Sequence, residues 1–175
     1  MSGQSFYSIA FKGLSQGKHN FEYEIDDKFF SEFGGGVVDK GKVNVRVTLE
    51  KQSSLMILWF DVKGTVNVQC DRCLEMYDQP ISGSERIFVK FGEKEYVEGD
   101  DVIWVSTNDY QLNVAQLIYE FICLAIPIRS VHPDDENGNT TCDPAMIEKL
   151  GKYIVREGEE NKSIWNDLKK LLDNE

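Results

Sequence analysis

Cys70-Asp71-Arg72-Cys73 lies between two stretches that read as β-strand. Before it, Val66 and Val68 alternate with Asn67 and Gln69 across Gly64–Gln69. After it, Met76–Ile81 reads as extended chain broken by Pro80. Two thiols separated by two residues reach a single metal ion from one tight turn. A redox Cys-x-x-Cys normally opens a helix, whose macrodipole lowers the thiol pKa. A bend between strands therefore favours metal binding over thiol exchange, and it requires two strands to leave the turn side by side.

The chain has 175 residues, a size that suits one domain, and its hydrophobic fraction of 41% supports a real core. No run of about eighteen apolar residues occurs, so no membrane span is predicted. The opening MSGQSFYSIA has no basic segment followed by an apolar one, and the expectation is a cytoplasmic chain without a secretory signal. In that compartment four cysteines read as reduced thiols or metal ligands. The net charge of −11 argues against nucleic-acid binding by general phosphate neutralisation and requires a local basic face or an intervening protein partner. Solubility is the plainer reading of that acidity.

Residues 5–12 and Phe21–Ile25 read as strands, with a loop at Leu14–Lys18 between them. Asp26 or Asp27 is placed to cap a short helix running through Phe33 to Gly34-Gly35-Gly36. Three strands follow: one carrying Val43, Val45, Val47 and Leu49 on one face, then Leu55–Val62, then Gly64–Cys70. Turns at Lys51–Ser54 and Lys63-Gly64 suit an antiparallel meander. Glu85–Phe91 is a further strand, Val102–Val105 a short one, and the acidic stretch from Glu93 to Asp101 between them reads as a solvated loop. Asn113 with Gln116 resembles a capping box for a helix that stops before Pro127, and Asp143-Pro144 starts another whose stripe is Met146, Ile147 and Leu150. Ser163 is placed to cap a last helix with Trp165 and Leu168 inward. The fold class is α+β: a mostly antiparallel sheet, able to curl toward a barrel, followed by helices. Residues 1–155 form one domain, and 156–175 form a linker and a C-terminal helix packed on or tethered to it.

A tetrahedral zinc takes about four nitrogen or sulfur ligands. Cys123 lies on an apolar helix and reads as a small buried hydrophobe, while His19 sits in a polar loop without a partner. His132 and Cys142, at the ends of the polar connector between two helices, complete a set with Cys70 and Cys73. Such an ion would tie the bend to the connector across roughly sixty residues of chain and remove unfolded-state entropy. Two other readings use the same residues: ordinary buried or polar positions with Asp71 and Arg72 shaping a turn, and a redox pair at Cys70 and Cys73.

Enzyme motifs are weak. Gly36-Val37-Val38-Asp39-Lys40-Gly41-Lys42-Val43 approaches a P-loop, but Val43 replaces the Ser or Thr that holds magnesium, and a strand follows where a helix is required. With two histidines there is little general-base capacity, so no enzyme and no small-molecule substrate are expected.

Gly64-Thr65-Val66 leading into Cys70-Asp71-Arg72-Cys73-Leu74-Glu75 resembles the YceD family, the large ribosomal RNA subunit accumulation proteins. The Leu124-Ala125-Ile126-Pro127 helix end, His132-Pro133, Cys142-Asp143-Pro144 and the ending Trp165–Leu171 extend the resemblance over nearly the whole chain. It implies a bacterial cytoplasmic protein needed for normal 23S ribosomal RNA levels, with plastid relatives. It also implies a gene that often neighbours that of a zinc-binding large-subunit ribosomal protein. Many members carry two cysteine pairs; here His132 and Cys142 stand in the second half, and imidazole keeps zinc chemistry possible. The implied partner is ribosomal RNA or a large-subunit precursor, contacted directly or through a ribosomal protein. For direct contact the candidates are Arg72, Arg46 and Arg129. Lys63, Arg86 and Lys90 are also available if they share a sheet face with Trp59 or Tyr77 for base stacking; as solvated strand edges the same cations would guard against aggregation. The alternative is an acidic interaction module or chaperone for a basic ribosomal protein, through Glu93–Asp101.

Overall fold

Three long strands dominate the molecule: β3 (Gly41–Lys51), β4 (Leu55–Gln69) and β5 (Met76–Phe91) form an antiparallel meander. The computed structural model describes residues 6–33, 36–92, 99 and 101–153. The expected helix at Ser163, the linker before it and most of the acidic stretch 93–101 lie outside the described residues. A fourth strand, β2 (Gly17–Ile25), pairs with β3, and β6 (Val102–Val105) runs parallel to β5, giving the order β2-β3-β4-β5-β6. A separate two-stranded pair joins β1 (Ser8–Ile9) to β7 (Leu112–Asn113).

The class is α+β with a mostly antiparallel sheet, and the sheet does not close into a barrel. β2 and β6 occupy opposite edges without pairing, and β6 has only 4 residues to offer. Nor do the helices all follow the sheet: α1 (Asp27–Glu32) lies between β2 and β3, while α2 (Ala115–Leu124) and α3 (Pro144–Tyr153) come after it. Asp26 caps α1, its Oδ1 accepting from the amides of Lys28 and Phe29. Asn113 Oδ1 accepts from the Ala115 amide at 2.8 Å, but Gln116 turns to Glu120.

Two sequence expectations merge into longer elements. Gly64 is no turn. It sits inside β4, paired with Val43 and Ile81, where a Cβ would stand 2.2 Å from the Lys42 carbonyl oxygen. The glycine allows close approach of two backbones. Pro80 does not break β5, because β6 covers β5 only at Phe88–Phe91 and Pro80 lies on an open edge, where no ladder amide is missed. At the start of the chain, the expected strand over 5–12 shrinks to β1 and a 3-10 turn at Phe11–Gly13. The expected loop shortens too, since Gly17, Lys18 and His19 belong to β2.

The alternation expected of β3 holds, and β4, a more continuous apolar run in sequence, alternates as well. Val43, Val45, Val47 and Leu49 of β3 and Met56, Leu58, Phe60 and Val62 of β4 are all buried. Ile118, Phe121 and Ile122 of α2 join them, with the Phe60 and Phe121 rings 4.9 Å apart. Each such side chain contributes about 1.5–3 kcal/mol. Ala125, just past α2, packs toward Gly83 of β5. Gly83 lies mid-strand opposite Val62, and the chain after α2 reaches the bend between β4 and β5 at Ser130, which pairs with Asp71.

Candidate metal centre

β4 and β5 are joined by Cys70–Glu75, a tight knuckle closed by Cys70 N–H to Glu75 C=O at 2.8 Å and Leu74 N–H to Cys70 C=O at 2.9 Å. The Arg72 amide points at Cys70 Sγ, 3.4 Å away. Leu74 has φ 67°, in the left-handed region where glycine is the default residue.

The second half comes from the connector between α2 and α3. Ser130 locks it to the knuckle twice: its amide donates to Asp71 Oδ2 and its carbonyl accepts from the Asp71 amide, both at 2.7 Å. His132 follows, its ring 4.5 Å from that of buried Tyr77. The connector then doubles back. Asp134 bridges Thr140, the Asp135 carboxylate accepts from the amides of Asn137 and Asn139, and Gly138 turns at φ 80°. Those donors, the Asn139 amide first, hold the Asp135 carboxyl below its usual range. This pinch brings Cys142 beside His132 despite their separation in sequence. Asp143 then caps α3 through the amides of Ala145 and Met146.

Cys70, Cys73, His132 and Cys142 meet with their ligand atoms all within 4.8 Å of one another. Cys70 Sγ is 3.8 Å from Cys142 Sγ; His132 Nδ1 is 3.4 Å from Cys73 Sγ and 3.8 Å from Cys142 Sγ. Bonds of about 2.3 Å to sulfur and 2.05 Å to nitrogen in a tetrahedron place sulfurs about 3.8 Å apart and sulfur and nitrogen about 3.6 Å apart. These three separations match a tetrahedral ion such as zinc, and the remaining pairs lie within 4.8 Å. All are unbridged cysteines apart from the histidine, and the sulfur separation is far beyond the roughly 2.05 Å of a disulfide. Four protein ligands leave no open coordination position, which is the pattern of a structural site.

The electrostatics suit a cation. Burial alone pushes the Cys70 thiol up, but the Cys73 and Arg72 amides and the His132 donors outweigh it and bring the thiol down to about 5. Burial raises Cys142, and the neighbouring sulfurs raise it further. Thiols packed this closely cannot all ionise unless a cation sits among them.

The remaining expected residues fall elsewhere. Cys123 is half-buried beside Tyr119 on α2, so it is less enclosed than expected, and it takes no part in the cluster. His19, in β2, donates from its ring Nε2 to the Ser15 carbonyl oxygen at 2.9 Å. Tyr77 is buried against His132, which removes it as a base-stacking surface. Arg46 lies on the outer face of the sheet, paired with Glu22 at 3.0 Å, and does not join the other two arginines. Trp59, Lys63 and Arg86 share that outer face by strand alternation. Arg72 and Arg129 both line one concavity beside the knuckle. The segment Gly36–Val43 leads into β3 with no helix behind it, so the P-loop resemblance is formal only.

No helix among the described residues is long and apolar enough to cross a membrane. Neither a curated protein nor a solved structure matches the chain. The family model described as "Large ribosomal RNA subunit accumulation protein YceD" matches residues 58–172, a span that holds β4 from Leu58 onward, the knuckle, all four clustered ligands and α3. The chain therefore belongs to the YceD family.

Proposed function

We propose that this protein is a non-catalytic, cytoplasmic bacterial factor supporting accumulation of large-subunit (23S) ribosomal RNA, with one structural zinc held by Cys70, Cys73, His132 and Cys142. Family membership supplies the link to large-subunit RNA. The observation that carries the rest is the convergence of four ligands from two distant arms of the chain. A closed three-thiolate, one-imidazole set would fix a sheet bend to an inter-helix connector and leave no ligand exchangeable for a substrate. The metal then organises a docking surface, and Arg72, between two of its ligands, is the cation it positions most directly.

The partner is a large-subunit precursor, touched through its RNA or through a bound ribosomal protein. The net charge of −11 favours contact with a basic ribosomal protein as the second reading. Metal analysis should return about one zinc per chain, and tagged protein should sediment with large-subunit precursors. Association that survives ribonuclease favours protein contact, and its loss favours RNA. Absence of zinc together with absence of co-sedimentation would overturn the proposal.

A further inference from the structure

Beside the knuckle, a concavity of about 420 Å³ opens between the Cys70–Cys73 turn, the connector and α3. That volume lies in the roughly 300–1,000 Å³ range of small-ligand sites. Its lining combines two kinds of chemistry. Arg72 and Arg129 supply two cations, and Ile147 and Leu150 of α3 supply an apolar wall. The one carboxylate in the lining, Asp71, already accepts the Ser130 amide at 2.7 Å. Within the lining two guanidiniums face one engaged carboxylate, on a chain whose net charge is −11.

The two arginines are held differently. The Arg72 guanidinium donates to Thr140 Oγ1 at 2.9 Å. Thr140 also accepts the Cys142 amide at 3.2 Å, so Arg72 reads the closure of both arms of the metal cluster. Arg129 makes no hydrogen bond or ion pair among the described residues, and its neighbour Ile128 is fully exposed.

The third feature is Gly151 of α3, which also lines the concavity. Glycine inside a helix is unfavourable relative to alanine. Packing does not require it here, because a Cβ would meet no described atom within 4 Å. The missing side chain leaves the space open.

We infer that this concavity takes one unstacked nucleotide of single-stranded RNA, its phosphate between Arg72 and Arg129 and its base against Ile147 and Leu150. The inference rests on the reading of the protein as a ribosomal RNA factor. Guanidiniums match phosphate oxygens bidentately, and proteins that recognise RNA take splayed-out bases from single strands. A single built site of this kind also explains how so acidic a chain can touch a polyanion: the contact is local, and the remaining surface repels RNA.

The test uses zinc-loaded full-length protein and a short fluorescein-labelled oligouridylate, read by anisotropy across a salt series. Two phosphate-contacting arginines give a slope of log K against log salt of about −1.4, and Arg129→Ala halves it to about −0.7. Arg72→Ala and Arg129→Ala should each weaken binding about tenfold. Gly151→Trp, which fills the space, should abolish it. Arg46→Ala, the same charge change on the outer sheet face, should bind as wild type. Zinc content and melting temperature verify that each variant is folded. Wild-type affinity in both Arg129→Ala and Gly151→Trp overturns the assignment, and so does competition by oligoglutamate as effective as by unlabelled RNA. If wild type sediments with large-subunit precursors but binds no oligouridylate, the site is wrong and the family reading stands. If it does neither, both fall.

Discussion

Stripping the metal gives the sharpest test of how this molecule is held together. An ion held by the four-ligand cluster would close two nested loops. The inner one spans the 10 residues separating His132 from Cys142, and the outer one the 72 separating Cys70 from Cys142. In the chain-entropy treatment of a cross-link, closing them is worth about 2.7 and about 4.4 kcal/mol respectively at 25 °C. The smaller figure applies if α2 stays docked on the sheet after the metal leaves, since Ile118, Phe121 and Ile122 anchor it independently of the cluster. The larger applies if the whole crossover is released. For a chain of this size 1 kcal/mol moves the melting temperature by about 2–4 °C, so chelation should lower it by roughly 5–18 °C. Circular dichroism melts of zinc-loaded and chelator-treated protein measure the shift, and restored zinc should reverse it. Hydrogen exchange locates it: residues 128–142 should lose protection, while β3 and β4 keep theirs, because their core does not depend on the site. Coincident melts for the two forms, or loss of protection spread evenly over the sheet, would refute the reasoning.

Other perturbations follow from the same geometry. Leu74→Gly relieves a left-handed leucine whose side chain is 56% exposed, and should stabilise the zinc-loaded protein by about 0.5 kcal/mol after the added flexibility of the unfolded chain is counted, measured by denaturant titration. Gly64→Ala drives a methyl onto the Lys42 backbone and should destabilise by about 3 kcal/mol or prevent folding, read by the same titration or by soluble yield. In metal-free protein Cys70 should ionise near pH 5, visible as thiolate absorbance that Cys70→Ser removes. Its folded pKa lies below the ordinary thiol value of 9.0, so the associated stability is present above that value and is lost as pH falls through about 5. A melting temperature of the metal-free form that rises on acidification from pH 9 to 5 would contradict this.

Much of the fold is written in short-range pattern. Alternation at Val43–Leu49 marks the inward face correctly, because a half-buried strand exposes its period of two directly, whereas the near-continuous apolar run Leu55–Val62 hides the same alternation. Asp26 and Asp143 announce helix starts for an equally local reason, a side-chain oxygen within reach of its own helix amides. Gly64 and Pro80 misread as interruptions because their roles depend on neighbours distant in sequence: a backbone pressed against one, and an empty edge beside the other. The four metal-site residues were nameable from residue type alone, since few other cysteines and histidines compete. Their convergence was not, because it depends on the Ser130–Asp71 pair and the Asp134–Thr140 pinch, contacts with no periodicity to betray them. The separation of Arg46 from Arg72 and Arg129 belongs to the same class: sequence supplies the charges, and only the turn of β4 into β5 and the return of the connector decide which of them share a surface.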